Sequence, residues 1–181
     1  MLAFLRFVGT FNAALWLGMA VFFTFAVGPS FFSQEMLAIF GGDSAPFARA
    51  YAGASAMVVM KKYFLWLHVC GALAVLTTVA EAVYQGLSLK RLQTYLAMGA
   101  FLLGLAGGLW MQPRLQQLQG LKYHPTATPA QREAAGRSFS AWHAASQGGN
   151  GVMTLLIVLF FWKVISPPPR SKPHNPFQFK S

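Results

Sequence analysis

Long runs of apolar residues, separated by charges, prolines and glycines, dominate the pattern of this chain. From Phe7 to Gly28 there is no charge, and Pro29 follows as a stop. A second run extends from about Tyr63 to Tyr84. A third extends from about Leu92 to Met111 and is ended by Pro113. A fourth extends from about Phe139 to Trp162, closed by Lys163 and Pro167-Pro168-Pro169. At 1.5 Å per residue a helix of about 17–25 residues crosses the hydrocarbon of a bilayer. These runs lack the alternation of barrel strands, and a helix is the structure that satisfies its own backbone in lipid. The expected fold is therefore all-α: an integral membrane four-transmembrane-helix bundle within residues 1–165, with spans about 7–28, 63–84, 92–111 and 139–162. The first run is about twice as long as the apolar core of a signal peptide, so it reads as a span.

The connections differ in length. The second and third spans are joined by a short loop carrying Lys90 and Arg91. Residues 30–62 alternate apolar patches with Gly41-Gly42-Asp43 and Ala45-Pro46, a pattern expected of two short amphipathic helices at the membrane interface. Thr128-Pro129-Ala130-Gln131 reads as a helix start, with a capping Thr, Pro in the first position and Gln in the third. The fourth helix should then begin two or three turns before it enters the membrane. Residues 166–181 are Pro-rich and basic, an extended arm.

Composition agrees with this pattern. Hydrophobic residues make up 55% of the 181, charged residues 10% and aromatic residues 15%, and mean hydropathy is +0.46. A soluble domain carries about 25% charged residues, so too few are present to coat a water-facing surface. The net charge of +10 is scattered through loops without aromatic ladders, which argues against nucleic acid and for topology signals and anionic headgroups. Arg6, Lys90, Arg91, Lys163, Arg170, Lys172 and Lys180 fall on one side, on short segments without acidic neighbours. Arg49, Lys61, Lys62, Arg114, Lys122, Arg132 and Arg137 fall on the other, sharing their loops with Glu35, Asp43 and Glu133. Short loops dominate the positive-inside rule, so both termini are expected in the cytoplasm. The single cysteine, Cys70, leaves the redox compartment open.

Polar residues inside the spans are the candidates for chemistry. His143, Ser146 and Asn150 recur at i, i+3 and i+7 on one face of the fourth helix. Either they bond neighbouring helices, with Gly148, Gly149 and Gly151 allowing close approach, or they serve a ligand. Asn150 lies near mid-membrane and needs a hydrogen-bond partner, with the first span near Asn12 as the expected neighbour. His68 and His143 sit at matched depth on two spans that run in the same direction, which would suit axial ligation of haem or binding of a metal. Met57, Met60, Cys70, Met111 and Met153 raise Cu(I), although packing is the commoner use of Met. Glu81 is the acidic residue of the spans, a proton or cation site unless it reaches water or pairs with Arg91. Ala100, Gly104 and Gly108 form a small-residue stripe. Trp16, Trp66, Trp110, Trp142 and Trp162 fit an aromatic belt. Motifs of soluble catalysis are missing from the sequence, and paired-carboxylate catalysis has almost nothing to draw on.

Three stretches resemble a known family: Gly28-Pro29-Ser30-Phe31-Phe32, Lys62-Tyr63-Phe64, and the run from Arg137 through Trp142, His143, Ser146 and Asn150. Met111-Gln112-Pro113-Arg114 also fits. Over about residues 5–165 the chain resembles the bacterial "domain of unknown function 4149" proteins, similar to the eukaryotic transmembrane protein 205. More distantly it resembles copper-resistance D-type membrane proteins. It departs from the pattern at Met60-Lys61, where Phe-Pro is expected, and at Ala144, where Gly is expected. The resemblance implies a four-span protein of a bacterial inner membrane, without an established activity. The expected function is a non-enzymatic accessory or scaffold subunit, embedded in the lipid bilayer and packed against another membrane protein or a second copy. The alternative is a haem- or copper-binding carrier using His68 and His143.

Overall fold

A computed structural model describes residues 2–42, 44–45 and 47–166; the expected Pro-rich arm lies outside them from residue 167 onward. Among the described residues there is no strand. The helices are α1 (Leu2–Ser30), α2 (Gln34–Ile39), α3 (Ala48–Tyr84), α4 (Leu92–Lys122) and α5 (Pro129–Ile165). Of these, α1, α3, α4 and α5 are long and apolar enough to cross a membrane. They form an up-down-up-down square in which α1 packs on α3 and α5, and α4 packs on the same two.

Of two expected stops, Pro29 holds to within one residue, since α1 ends at Ser30, and Pro113 does not. Pro29 lacks an amide hydrogen and its ring crowds the carbonyl four residues back, which should end or kink a helix. Just before this end α1 widens: the Gly28 amide donates to the Phe23 carbonyl five residues back, making a π turn over Phe23–Val27. The same solution recurs before Pro113, where the Gln112 amide reaches Gly107 and the π turn covers Gly107–Met111. α4 therefore continues through Pro113 to Lys122. In the first connection α2 stands as a short helix, capped by the Ser33 hydroxyl accepting from the Met36 amide. The Glu35 carboxyl in its first turn is held below the ordinary carboxylate value by a backbone amide and Ser33. The second helical stretch expected there is continuous with α3. Ala48, Ala52 and Ala56, four residues apart, are buried, and Ala is the strongest helix former.

α3 and α5 each have 37 residues, about 55 Å at 1.5 Å per residue, far beyond the ~30 Å of hydrocarbon. The excess gathers at the end opposite the termini. There Leu37, Ala48 and Ala52 make a small core of their own, and Leu115, Leu118 and Ala135 are buried between α4 and α5. The capping box expected at Thr128 and Gln131 is formed in both directions. At the other end the Leu87 amide donates to Ala82 at 2.8 Å around Gly86, whose φ of +61° is a conformation that glycine adopts without strain.

The membrane core joins residues of all four long helices, among them Trp16, Leu67, Ala100, Met153, Ile157 and Phe160. Trp16, expected in the interfacial belt, is wholly buried here, edge-on to Phe160 at 6.1 Å between ring centroids. The small residues of α4 close the helices as expected. A Cβ on Gly104 would stand 3.1 Å from Leu67, and one on Gly108 2.7 Å from the His68 ring. On α3 a Cβ at Gly71 would stand 2.6 Å from the Phe101 ring and 3.3 Å from Trp16. Overpacking a core costs about 1–3 kcal/mol. Gly71→Ala is therefore expected to lower thermal stability in detergent by that amount. Gly120→Ala, where a Cβ meets nothing within 4 Å, should leave stability unchanged or raise it.

Candidate functional site

Toward the end opposite the termini, the square of helices does not close. A cavity of about 530 Å³ lies between them, within the 300–1,000 Å³ typical of ligand sites. Both π turns border it, through Phe23 and Thr24 on α1 and Gly107 and Met111 on α4. α3 contributes Met60, Tyr63 and Phe64, and α5 contributes His143, Ser146, Gln147, Gly149, Asn150 and Gly151. Leu103 and Met153 lie deepest along α4 and α5. From His143 to Met153 is ten residues, about 15 Å along the helix. Pro29, Phe32, Ala106, Gln147 and Gly151 are the exposed members of the lining, and since all but Ala106 belong to the end of α1, the turn after it and α5, the mouth is placed there. A second hollow, along Phe11, Leu15 and Phe22, is bounded by α1 alone and is apolar. It is relief on the lipid-facing surface.

The expected polar face of α5 is brought together: His143, Ser146 and Asn150 are each half-buried and line the one cavity. Asn150 bonds α1 as expected, but its partner is the Thr24 hydroxyl at 2.8 Å, not a group near Asn12. The antiparallel register explains the difference. Trp16 meets Phe160 while Thr24 meets Asn150, so moving eight residues along α1 retreats ten along α5. Asn12 is thus level with the Lys163 end of α5. Its buried amide donates instead to the Cys70 carbonyl of α3 at 2.9 Å. The Thr24 hydroxyl donates to Ala20 in its own helix at 2.7 Å while accepting from Asn150. Its one proton is therefore used.

The histidine pair is not joined in one site. His68 Nε2 lies 2.9 Å from the Gly104 carbonyl. A carbonyl only accepts, so that nitrogen carries the proton and donates. His68 thus fastens α3 to α4, while His143 stacks on Phe139 at 5.7 Å and lines the cavity. Among the described residues no group of three or more His, Cys, Asp and Glu converges. Glu81 is half-buried, and Arg91 donates to Gln93 rather than to it. Of the expected soft-metal residues, Met60, Met111 and Met153 share the cavity lining, while Met57 and Cys70 stand outside it.

Two features of the site escaped sequence reasoning. Gly148, Gly149 and Gly151 do not bring helices together: a Cβ on any of them meets nothing within 4 Å. At Gly149 and Gly151 the small size leaves space in the cavity, and Gly148 stands on the exposed surface outside it. Tyr63, expected merely to open a span, is 6% exposed, and its hydroxyl is buried without a hydrogen-bond partner. Its ring stacks on Phe23 at 3.9 Å and meets Phe64 at 5.3 Å, an aromatic wall opposite the polar face of α5. A buried tyrosine hydroxyl normally finds a partner.

Comparison with known proteins matches residues 11–124 to the family described as Domain of unknown function (DUF4149). The chain belongs to that family. The match takes in most of α1 and all of α3 and α4. It ends at His124, before α5 begins, so the aromatic wall of the cavity lies within it and the polar face of α5 beyond it. No curated protein and no solved structure matches the chain.

Interhelical hydrogen bonds in membranes average about 0.6 kcal/mol net. A double-mutant cycle on Thr24→Val and Asn150→Leu, followed by unfolding in detergent, is expected to return a coupling of about that size. A coupling indistinguishable from zero would remove the α1–α5 bond from the description of the site.

Proposed function

We propose that this chain is a non-enzymatic integral membrane protein that holds a small amphipathic molecule in the cavity between α1 and α5, as an accessory component beside a larger membrane partner. The observation that carries the reading is Gly149 and Gly151 of α5, which line the cavity with open space where a Cβ would stand, while Gly104, Gly107 and Gly108 of α4 stand against close neighbours. A cavity in a well-packed bundle forfeits contacts. One bordered by two widened helix turns is a place where function, rather than packing, accounts for the shape. An orientation with both termini in the cytoplasm of a bacterial inner membrane belongs to the same proposal, supported by Lys90 and Arg91 on the short α3–α4 connection. The mouth then faces the opposite side. A kinship with the eukaryotic transmembrane protein 205 is proposed on the run from Arg137 to Asn150.

One observation favours a second reading, a soft-metal carrier. Met60, Met111 and His143 line the same cavity, and thioether and imidazole suit Cu(I). The pair originally expected for haem or copper is less favoured, because the His68 ring is committed to Gly104.

Protein purified from membranes in mild detergent should carry a recurrent small molecule, detected by mass spectrometry of an organic extract. Gly149→Leu, which fills the cavity, is expected to lose it. Gly148→Leu, on the same helix but outside the lining, should retain it. An empty wild type, or equal retention by both variants, would contradict the proposal. Copper at one equivalent, lost in Met60→Leu, would decide for the second reading.

A further inference from the structure

Resting on that reading of the cavity, we infer that its guest has an uncharged head bearing hydroxyl or carbonyl oxygens and a single apolar tail, as a neutral glyceride has. Three observations converge on this class. First, no Asp, Glu, Lys or Arg belongs to the cavity lining. Cations do stand nearby in sequence, at Lys62, Arg114 and Arg137, but all three are exposed. Arg137 is already paired with Glu133 on the water-facing part of α5. A phosphate or carboxylate head drawn past His143 at the mouth would leave water without meeting a Lys or Arg, and burial of an unpaired charge is strongly unfavourable.

Second, the hydrogen-bonding groups that remain are neutral and uncommitted. The Tyr63 ring lines the cavity, and its hydroxyl is wholly buried behind that wall without a partner, so a guest reaches it by a small movement of the wall. Asn150 donates to Thr24, which leaves its amide oxygen to accept. Ser146 and Gln147 stand nearer the mouth. This set offers one donor and a few adaptable groups, enough for a hydroxyl or an ester carbonyl.

Third, polarity is graded along the cavity. His143, Ser146 and Gln147 occupy the mouth, Asn150 and Thr24 the middle, and Leu103 and Met153 the deep end. Methionine and aromatic side chains accommodate an irregular or flexible chain. The tail therefore points toward mid-membrane while the head stays near the interface, which is the orientation of a lipid in the surrounding leaflet. The mouth between α1 and α5 lets such a molecule enter sideways without reversing.

The test uses the full chain in lipid nanodiscs and three probes sharing a ten-carbon chain: monodecanoylglycerol (neutral), decanoate (anionic) and decyltrimethylammonium (cationic). Thermal unfolding is followed for the wild type, Gly149→Leu and Gly148→Leu. The neutral probe is expected to raise the unfolding temperature of the wild type and Gly148→Leu in a saturable way and to leave Gly149→Leu unmoved. The charged probes should shift all three proteins equally or not at all. Tyr63→Phe, which removes one oxygen, is expected to weaken the neutral probe about fivefold to tenfold. A shift by decanoate or decyltrimethylammonium equal to that of the glyceride, and abolished by Gly149→Leu, would overturn the neutral-head inference while sparing the cavity. If no probe distinguishes Gly149→Leu from the wild type, the binding reading itself fails. An unchanged affinity in Tyr63→Phe would remove Tyr63 from the site.

Discussion

Within hydrocarbon there is no water to accept a stray amide or carbonyl, so each polar group in a span must find its partner in protein. This constraint bears hardest at Pro29, in the last turn of α1, and at Pro113, inside the continuous α4. Both are accommodated by one extra residue in the preceding turn, with amides reaching back five positions instead of four. One residue is about 100° of helix rotation. Beyond its π turn α4 buries Gln112, Leu115 and Leu118, and α1 runs on only to Ser30. Below this level the square of helices is closed around Trp16, Leu67, Ile157 and Phe160. At this level it parts and leaves the cavity.

The same rule sorts the polar side chains. Asn12 donates to a backbone carbonyl of α3, His68 to one of α4, and Asn150 to Thr24 of α1. Each is a fastening between neighbouring helices. The Trp16 ring nitrogen and the hydroxyls of Thr94, Thr154 and Tyr63 break the pattern, buried without a partner, and of these residues Tyr63 lines the cavity. Leaving such a group unsatisfied costs about 1–3 kcal/mol. The position of Tyr63 on the cavity wall gives that cost a use, as the group a guest would satisfy. Glycine likewise serves two opposite ends in one bundle. On α4 it lets Leu67 and His68 approach, and on α5 it withholds a side chain from empty space.

Much of this was readable from residue order. The charge-free runs marked the four spans, Thr128 and Gln131 marked the start of α5, and the spacing of His143, Ser146 and Asn150 put them on a shared face. What could not be read depends on neighbours. A proline after an apolar run looks the same whether the helix ends, as at Pro29, or continues, as at Pro113. The alanines at 48, 52 and 56 repeat every four residues, yet without a partner surface they did not declare that α3 begins there. Matched depth suggested a pair for His68 and His143, but depth says nothing about which way a ring points. A glycine run is silent on whether the space beside it is filled or empty, and that question decides the character of the site.

That question can be put directly to Gly149 by enlarging its side chain in steps, through Ala, Val and Leu, and measuring unfolding in detergent. If α5 faces a cavity there, Gly149→Ala should gain about 1 kcal/mol from helix propensity alone, and Val and Leu should bring no progressive loss. If the glycine instead seats a neighbouring helix, Ala should already destabilise by about 1–3 kcal/mol and each larger residue by more. That outcome would contradict the account at its centre.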